Sequence, residues 1–442
     1  PRSTPKPSSA ASDVYKRQII YSIIKVRILI KNGRVIEPTH GIDDILDIFI
    51  EDTKIKQIGK IDVHADRIID ADGKIVTPGL IDMHTHLREP GREDEETLLT
   101  GTHAALRGGF TCVACMPNTE PPIDNIGVVK YIIDAKKLCT VYPIGAITKK
   151  RQGEELAEIG DMVDAGCVAI SDDGDPVMRA DVMRYALEYS KMFNIPVISH
   201  CEDKNLSSGG VMNEGNMSLM LGLTGIPRTS ESTMVARDIE LAEYTGAYLH
   251  IAHVSVKESI EYIQKAKQRG VKVTCEVTPH HLAFTEDVLQ DFDTNYKVNP
   301  PLRTKEDVKM LKKALKNGII DVIATDHAPH ADFEKELEFN DAPFGMIGLE
   351  TAIPILIQEL VKPGILSWME LIEKLTKNPR EILKLQEGVL EEGSDADITI
   401  ISPDEKWIYD KPLSKSKNSP LLGKKLEGKV SYTIYKGKIY EW

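Results

Sequence analysis

No apolar run in this 442-residue chain reaches the roughly eighteen residues that a membrane-spanning helix needs. There is no surplus of positive charge either: 55 Lys and Arg stand against 68 Asp and Glu, a formal net charge of −13. No Lys/Arg block and no basic-aromatic interleaving offsets that balance, which excludes a general nucleic-acid surface. A small anionic substrate is not excluded, because it needs only a few local cations. Cysteine is sparse and unpatterned, with six residues scattered through apolar runs. Cys112 and Cys115 have the spacing of a metal knuckle, but "GFTCVACMP" reads as a strand, where a three-residue step sends side chains to opposite faces. Buried thiols of a reducing, cytoplasmic compartment are the expectation.

An initiator Met is absent, and "IIYSII" is too short for a signal-peptide core. Within the leader, "DVYKRQ" is what a common sequencing adapter encodes when translated. Residues 1–25 are therefore expected to be non-native or disordered, with the protein proper beginning near Val26.

What is present is ordinary globular material, 41% hydrophobic and 28% charged, enough for one large domain and a smaller one. Residues 26–78 alternate in the manner of strands, and the Asn32-Gly33 pair between alternating runs predicts a hairpin. The same style returns in residues 388–442, as "ADITIISPD" and "SYTIYKGKIYEW". Two β-rich termini predict one small β-sandwich assembled from both ends. Between them, residues 79–387 repeat strand then helix. "GLIDMHTH", "GFTCVACMP", "VYPIGAI", "GCVAISD", "IPVISHC", "AYLHIAHVS", "VKVTCEVTP" and "IIDVIATD" read as strands, and several intervening helices stop at Gly. That count and length predict a (β/α)8 TIM barrel. An open doubly wound sheet fits less well, because no Gly-rich dinucleotide loop follows the first strand.

In such a barrel the chemistry gathers at the C-terminal strand ends. Strand one ends in His84 and His86, whose spacing puts both imidazoles on one face, as two ligands of one metal require. Strand four ends in Asp172 and Asp173, strand five in His200, strand six in His253, and strand eight in Asp326. Any one of these alone reads as a turn, a cap or a satisfied histidine. Together they point to a metal centre, with the choice between Asp172 and Asp173 open on strand alternation alone. His40, His64, His103 and His250 are expected to be bystanders, and His280 and His281 are not expected to be ligands.

The motifs "HLREPG", "MPNTEPPID", "SDDG", "SHCED", "HVS", "EVTPHHL", "NPPLR" and "TDHAPH", in this order, resemble the monofunctional type I dihydroorotase family of the amidohydrolase superfamily. The resemblance runs from about Leu29 through the C-terminal strands. It implies metal ligation by His84, His86, Asp173, His200, His253 and Asp326, with two Zn²⁺ per chain; Mn²⁺ or Co²⁺ would suit the same donors. It implies substrate contacts from His86, Arg88, Asn118, Asn299 and His330, with Phe344 and Gly345 closing over the ring. The implied activity is reversible cyclisation of N-carbamoyl-L-aspartate to dihydroorotate in pyrimidine biosynthesis. Hydroxide at the metals attacks the ring amide, and Asp326 carries the proton as general base and then general acid. Relatives that bridge their metals through a carbamylated Lys after strand four, hydantoinases and dihydropyrimidinases among them, are the first alternative, together with allantoinase. Strand four here supplies Asp, and Lys149 and Lys150 follow strand three. The second alternative is a catalytically dead scaffold for aspartate carbamoyltransferase, disfavoured because every ligand position is filled. The resemblance leaves open a homodimer and an active complex with that transferase. Residues 331–342, "ADFEKELEFNDA", are read as a lid beside the substrate.

Overall fold

The eight strand-like runs of the middle segment all form strands, and they pair in sequence order as one parallel sheet. They are Leu80–Thr85, Phe110–Cys115, Thr140–Gly145, Ala169–Ile170, Val197–Ser199, Leu249–Ile251, Val273–Val277 and Val322–Ile323. These elements come from a computed structural model that describes residues 26–386 and 388–442; the expectation for the leader lies outside the described residues. A parallel bridge between Thr85 and His327 joins the first strand to the segment after the eighth. Asp82 strengthens that seam by accepting the Thr325 amide, at 3.1 Å from Oδ1. The result is the expected (β/α)8 barrel.

Side-chain alternation sorts the barrel residues into two apolar clusters. Cys112, Ala114, Ile144, Ala169, Ile198 and Val322 pack together in the interior, with Leu383 at the end of the last helix and Leu385 just beyond it. Val113, Cys115, Val141, Val197, Leu249, Val277 and Ile323 pack outward against the helices. Cys112 and Cys115 thus face opposite ways, and all six cysteines are buried, with no disulfide among the described residues. Burial pushes the Cys115 thiol up to about 12, out of reach of ionisation at neutral pH.

The helices follow from their caps and apolar stripes. Thr97 caps Leu98–Arg107 through a reciprocal bond with Thr100, and Gly108 ends it. Arg228–Thr245 ends at Gly246 in the left-handed conformation.

The two termini build one continuous mixed sheet of eight strands around a core that includes Ile28, Ile48, Val76, Ile398 and Ile434. Strand Ile75–Pro78, which leads into the barrel, pairs with Ile398–Ile408 from the far end of the chain. The Asn32-Gly33 hairpin does not form. The strand Arg27–Glu37 runs straight through that pair, with a register shift against its neighbour and Asn32 at φ 61°. Asp47 and Asp70 take the Asn32 amide groups at 3.0 and 3.1 Å. A Cβ on Gly33 would sit 2.4 Å from Val76 Cγ2, so the Gly serves close packing at a bulge instead of a turn.

Candidate active site

At the C-terminal ends of the barrel strands a cavity of about 560 Å³ opens. His86, Arg88, Asp173, His200, His253, Asn299, Asp326, Phe344 and Gly345 all line it. His84 lies beneath it, fully buried. Asn118 stands behind His86, its Oδ1 2.7 Å from His86 Nδ1. His330 stands behind the Phe344 wall, its Nε2 2.8 Å from Phe344 O. Three of these residues hold left-handed backbone that non-glycine residues rarely adopt: Arg88, His253 and Asp326, at φ 60°, 29° and 48°. Such conformations concentrate where a side chain must be aimed.

The acidic pair after strand four divides cleanly. Asp172 turns back into the fold, where Oδ1 accepts the Ile147 and Thr148 amides at 2.8 and 3.1 Å and Oδ2 accepts the Thr148 hydroxyl. Asp173 turns into the cavity floor. Its Oδ1 lies 3.4 Å from His84 Nε2, 3.6 Å from His200 Nδ1 and 3.7 Å from His253 Nε2. Its Oδ2 lies 3.5 Å from His86 Nε2. Two ligand-like trios therefore share this one carboxylate: His84, His86, Asp173 and Asp173, His200, His253. Asp326 joins the first, with Oδ1 3.0 Å from His86 Nε2 and 3.6 Å from His84 Nε2.

Hydrogen bonding fixes the sense of the imidazoles. His84 Nδ1 is 2.5 Å from Glu276 Oε1, His86 Nδ1 is bonded to Asn118, and His200 Nε2 is 3.1 Å from Glu202 Oε2. Each outer nitrogen donates to an oxygen, which leaves the inner nitrogen a lone pair aimed at carboxylate oxygens or at another imidazole nitrogen. Among the described residues, His84 Nε2 and Asp173 Oδ1 are buried without any hydrogen-bond partner. Lone pairs converging on lone pairs are repulsive unless a cation lies among them, so this donor set fits divalent metal.

Electrostatics agree. Burial pushes the Asp173 carboxyl up, but His84, His200 and His253 outweigh it and hold the group well below the carboxylate range. Burial likewise opposes ionisation of Asp326, and His86 and His84 hold it low. His200 is pushed down by burial yet raised overall to about 9 by Asp173 and Glu202, so without a metal these carboxylates draw a proton onto the inner nitrogen, where a cation would otherwise take the lone pair. A cluster that keeps its carboxylates ionised while fully buried is poised to bind positive charge.

Sequence reasoning missed the outer carboxylates. Glu276, fully buried, accepts from His84 and reaches His250 Nε2 at 3.2 Å. Its signal was a lone charge inside the apolar strand "VTCEV". Glu202 Oε2 also accepts Asn299 Nδ2 at 2.9 Å and Lys204 Nζ at 2.7 Å. Glu95 reaches Arg88 Nε at 2.9 Å and His330 Nδ1 at 3.2 Å. Glu95, His330 and Glu334 are grouped like ligands too. Arg92 Nη2, 3.0 Å from Glu95 and 2.8 Å from Glu334, already neutralises that cluster. Lys149 lies on an exposed turn, paired with Glu155 at 2.6 Å, so no lysine ends strand four.

A (β/α)8 barrel with such a cluster at its C-terminal strand ends is the arrangement of a metal-dependent hydrolase, and the relatives of this chain make it a cyclic amide hydrolase of the amidohydrolase superfamily. L-hydantoinase (dihydropyrimidinase) from Arthrobacter aurescens superposes with a TM-score of 0.83 at 27% identity, covering 93% of this chain and 95% of that one. Residues 73–259 match the family model described as Dihydro-orotase-like. Far higher identity comes from dihydroorotases: 54% over 93% of this chain and 98% of the Acetivibrio thermocellus protein, and 53% over 94% and 98% for Pelotomaculum thermopropionicum. The chain belongs to the dihydroorotase family.

Proposed function

We propose that this site interconverts N-carbamoyl-L-aspartate and (S)-dihydroorotate with two Zn²⁺ ions held by His84, His86, Asp173, His200, His253 and Asp326. The observation that carries the reading is Asp173, one carboxylate shared by two imidazole pairs at 3.4 to 3.7 Å. Such a carboxylate would serve ions held by either pair, in a place where strand four offers no lysine. Divalent ions held there would acidify a water and polarise the amide carbonyl under attack.

The protein's own groups do the rest. Asp326 borders the cavity and is held ionised by His86 and His84, so it can take a proton from water and return it to the departing ring nitrogen. Arg88, anchored through Nε to Glu95 and to the Pro329 carbonyl at 3.1 Å, presents a guanidinium for the substrate carboxylate. Asn118 spends its Oδ1 on His86, which leaves the amide N–H groups for that same carboxylate. Asn299 spends its Nδ2 on Glu202, which leaves its Oδ1 to accept an N–H of the substrate. Glu202 and Asn118 also set the tautomers of His200 and His86. Gly345, at φ 138°, lets the Phe344 wall approach: a Cβ there would lie 2.8 Å from Ala328 Cβ and 3.0 Å from His330 Nε2. A cytoplasmic location accords with six reduced, buried thiols.

The test is turnover of dihydroorotate, dihydrouracil and allantoin by one preparation, with metal content measured. Dihydroorotate should be strongly preferred, and chelation should abolish ring opening. Preference for dihydrouracil, or full activity in rigorously metal-free protein, would refute the reading.

A further inference from the structure

Two lysines are buried beside the cavity: Lys297 is 2% exposed and Lys335 7%. Neither is bonded to a carboxylate among the described residues. Lys297 Nζ donates to the main-chain carbonyls of Phe339, Asn340 and Ala342 at 2.6, 3.1 and 2.6 Å. Lys335 Nζ donates to those of Pro343 and Gly345 at 2.8 and 3.1 Å. Burial pushes Lys297 down to about 8 and, with repulsion from Lys297, Lys335 down to about 7, and the distant carboxylates of Asp341, Asp293 and Glu334 offset this only in part. Glu334 spends its carboxylate on Arg92 and on the Ala331 amide. The carbonyls so collected belong to the stretch 339–345, which has no regular ladder to satisfy it. Its end, Pro343, Phe344 and Gly345, lines the cavity.

Burying an ammonium is costly, and an apolar side chain would fill the space more cheaply. What lysine adds is a point charge whose donors converge on carbonyls of an irregular segment. Lys297 also lies 4.7 Å from the centre of the Phe344 ring, and its own carbonyl accepts the Gly345 amide at 2.8 Å. Opening this loop would have to break these charge-assisted bonds together.

We propose that Lys297 and Lys335 are positioning residues that staple the 339–345 segment into a fixed wall of the substrate pocket, in place of a hinged lid. The consequence for dihydroorotate rests on the function proposed above; the stapling itself does not.

The experiment uses the metal-loaded full chain and the near-isosteric variants K297M and K335M. Amide hydrogen exchange without substrate, corrected for intrinsic rates, comes first. Wild-type 331–345 should exchange as slowly as the barrel helices; fast exchange there would overturn the proposal before any variant is made. In each variant exchange should accelerate in 331–345 alone. KM for dihydroorotate should rise about tenfold, one charge-assisted bond's worth, with kcat within about threefold and metal content unchanged. Wild-type KM and loop exchange in both variants would refute stapling. Acceleration spread over the whole barrel would do the same, by making the lysines general core stabilisers. If K297M does not fold, K335M carries the same expectations, because Lys335 Nζ donates to the Pro343 and Gly345 carbonyls that border the cavity. A wild-type chain inert towards dihydroorotate would sink the functional reading and leave the exchange result standing.

Discussion

Exchanging one carboxylate oxygen for an amide nitrogen at Asp172 or Asp173 should have opposite consequences, although the two are chain neighbours. Asp173→Asn removes the charge that both imidazole pairs share at 3.4 to 3.7 Å. An outer partner of a metal ligand is worth about 10- to 100-fold in affinity or activity. Loss of a shared inner ligand should therefore lower kcat/KM by at least about a hundredfold and deplete bound metal. Asp172→Asn keeps one oxygen for the Ile147 and Thr148 amides and lets the Thr148 hydroxyl reverse. Below about pH 4, where Asp172 is protonated, its cost should be about 1 to 2 kcal/mol of stability, and metal content and kcat/KM should stay near wild type. Asp172 also leaves a pH signature. Burial raises its carboxyl from 3.8 to about 6, against the opposing bonds from Thr148 and Ile147. Between those values the folded state binds the proton more tightly than the unfolded chain. The stability contributed is thus present below about pH 4 and lost as pH rises through about 6, on the order of 3 kcal/mol in all. Asp172→Asn should lose that slope. Metal analysis, calorimetry between pH 4 and 7 and ring-opening rates on both variants decide the matter. Parallel metal loss in both, or an Asp173→Asn enzyme with full metal and activity, would refute the assignment.

Glu276→Gln should weaken metal binding about 10- to 100-fold through His84, read by competition with a chelator; an affinity within threefold of wild type would remove Glu276 from the site's support. Glu95→Gln should raise KM for dihydroorotate more than it lowers kcat, because it loosens Arg88 and His330 together, and unchanged steady-state kinetics would contradict that role. Ring closure consumes one proton, so the equilibrium ratio of dihydroorotate to N-carbamoyl-L-aspartate should fall about tenfold per unit rise in pH between 6 and 8. Quantifying both compounds after approach from either side checks this, and a pH-independent ratio would mean that a different reaction is catalysed.

Much of the molecule was legible before folding, for identifiable reasons. Barrel strands buried on both sides read as continuous apolar runs, and the polar residues that interrupt them at their ends stand out: His84, His86, His200, His253 and Asp326. Failures came where a local signal has two tertiary meanings. Asn-Gly serves a hairpin or a bulge with equal ease, and the nearness of Val76 and the Asp47 and Asp70 acceptors chose the bulge. The outer carboxylates were missed because a lone Glu in a strand means nothing until its partner is known. Glu276 and His84 are 192 residues apart.

By itself the sequence determined the architecture, the family and the residue types of the metal floor, since periodicity and motif order are properties of the chain read in one dimension. The motif resemblance already implied Asp173, but only the tertiary structure gave the physical separation, turning Asp172 onto the Ile147 and Thr148 amides and Asp173 towards the imidazoles. It supplied the acceptors that set the sense of each imidazole and each asparagine amide. It also brought carbonyls of residues 339–345 onto two buried lysines, Lys297 and Lys335, that no local pattern links to them. These outcomes depend on what faces a group across the barrel, and that is settled by distances between residues far apart along the chain.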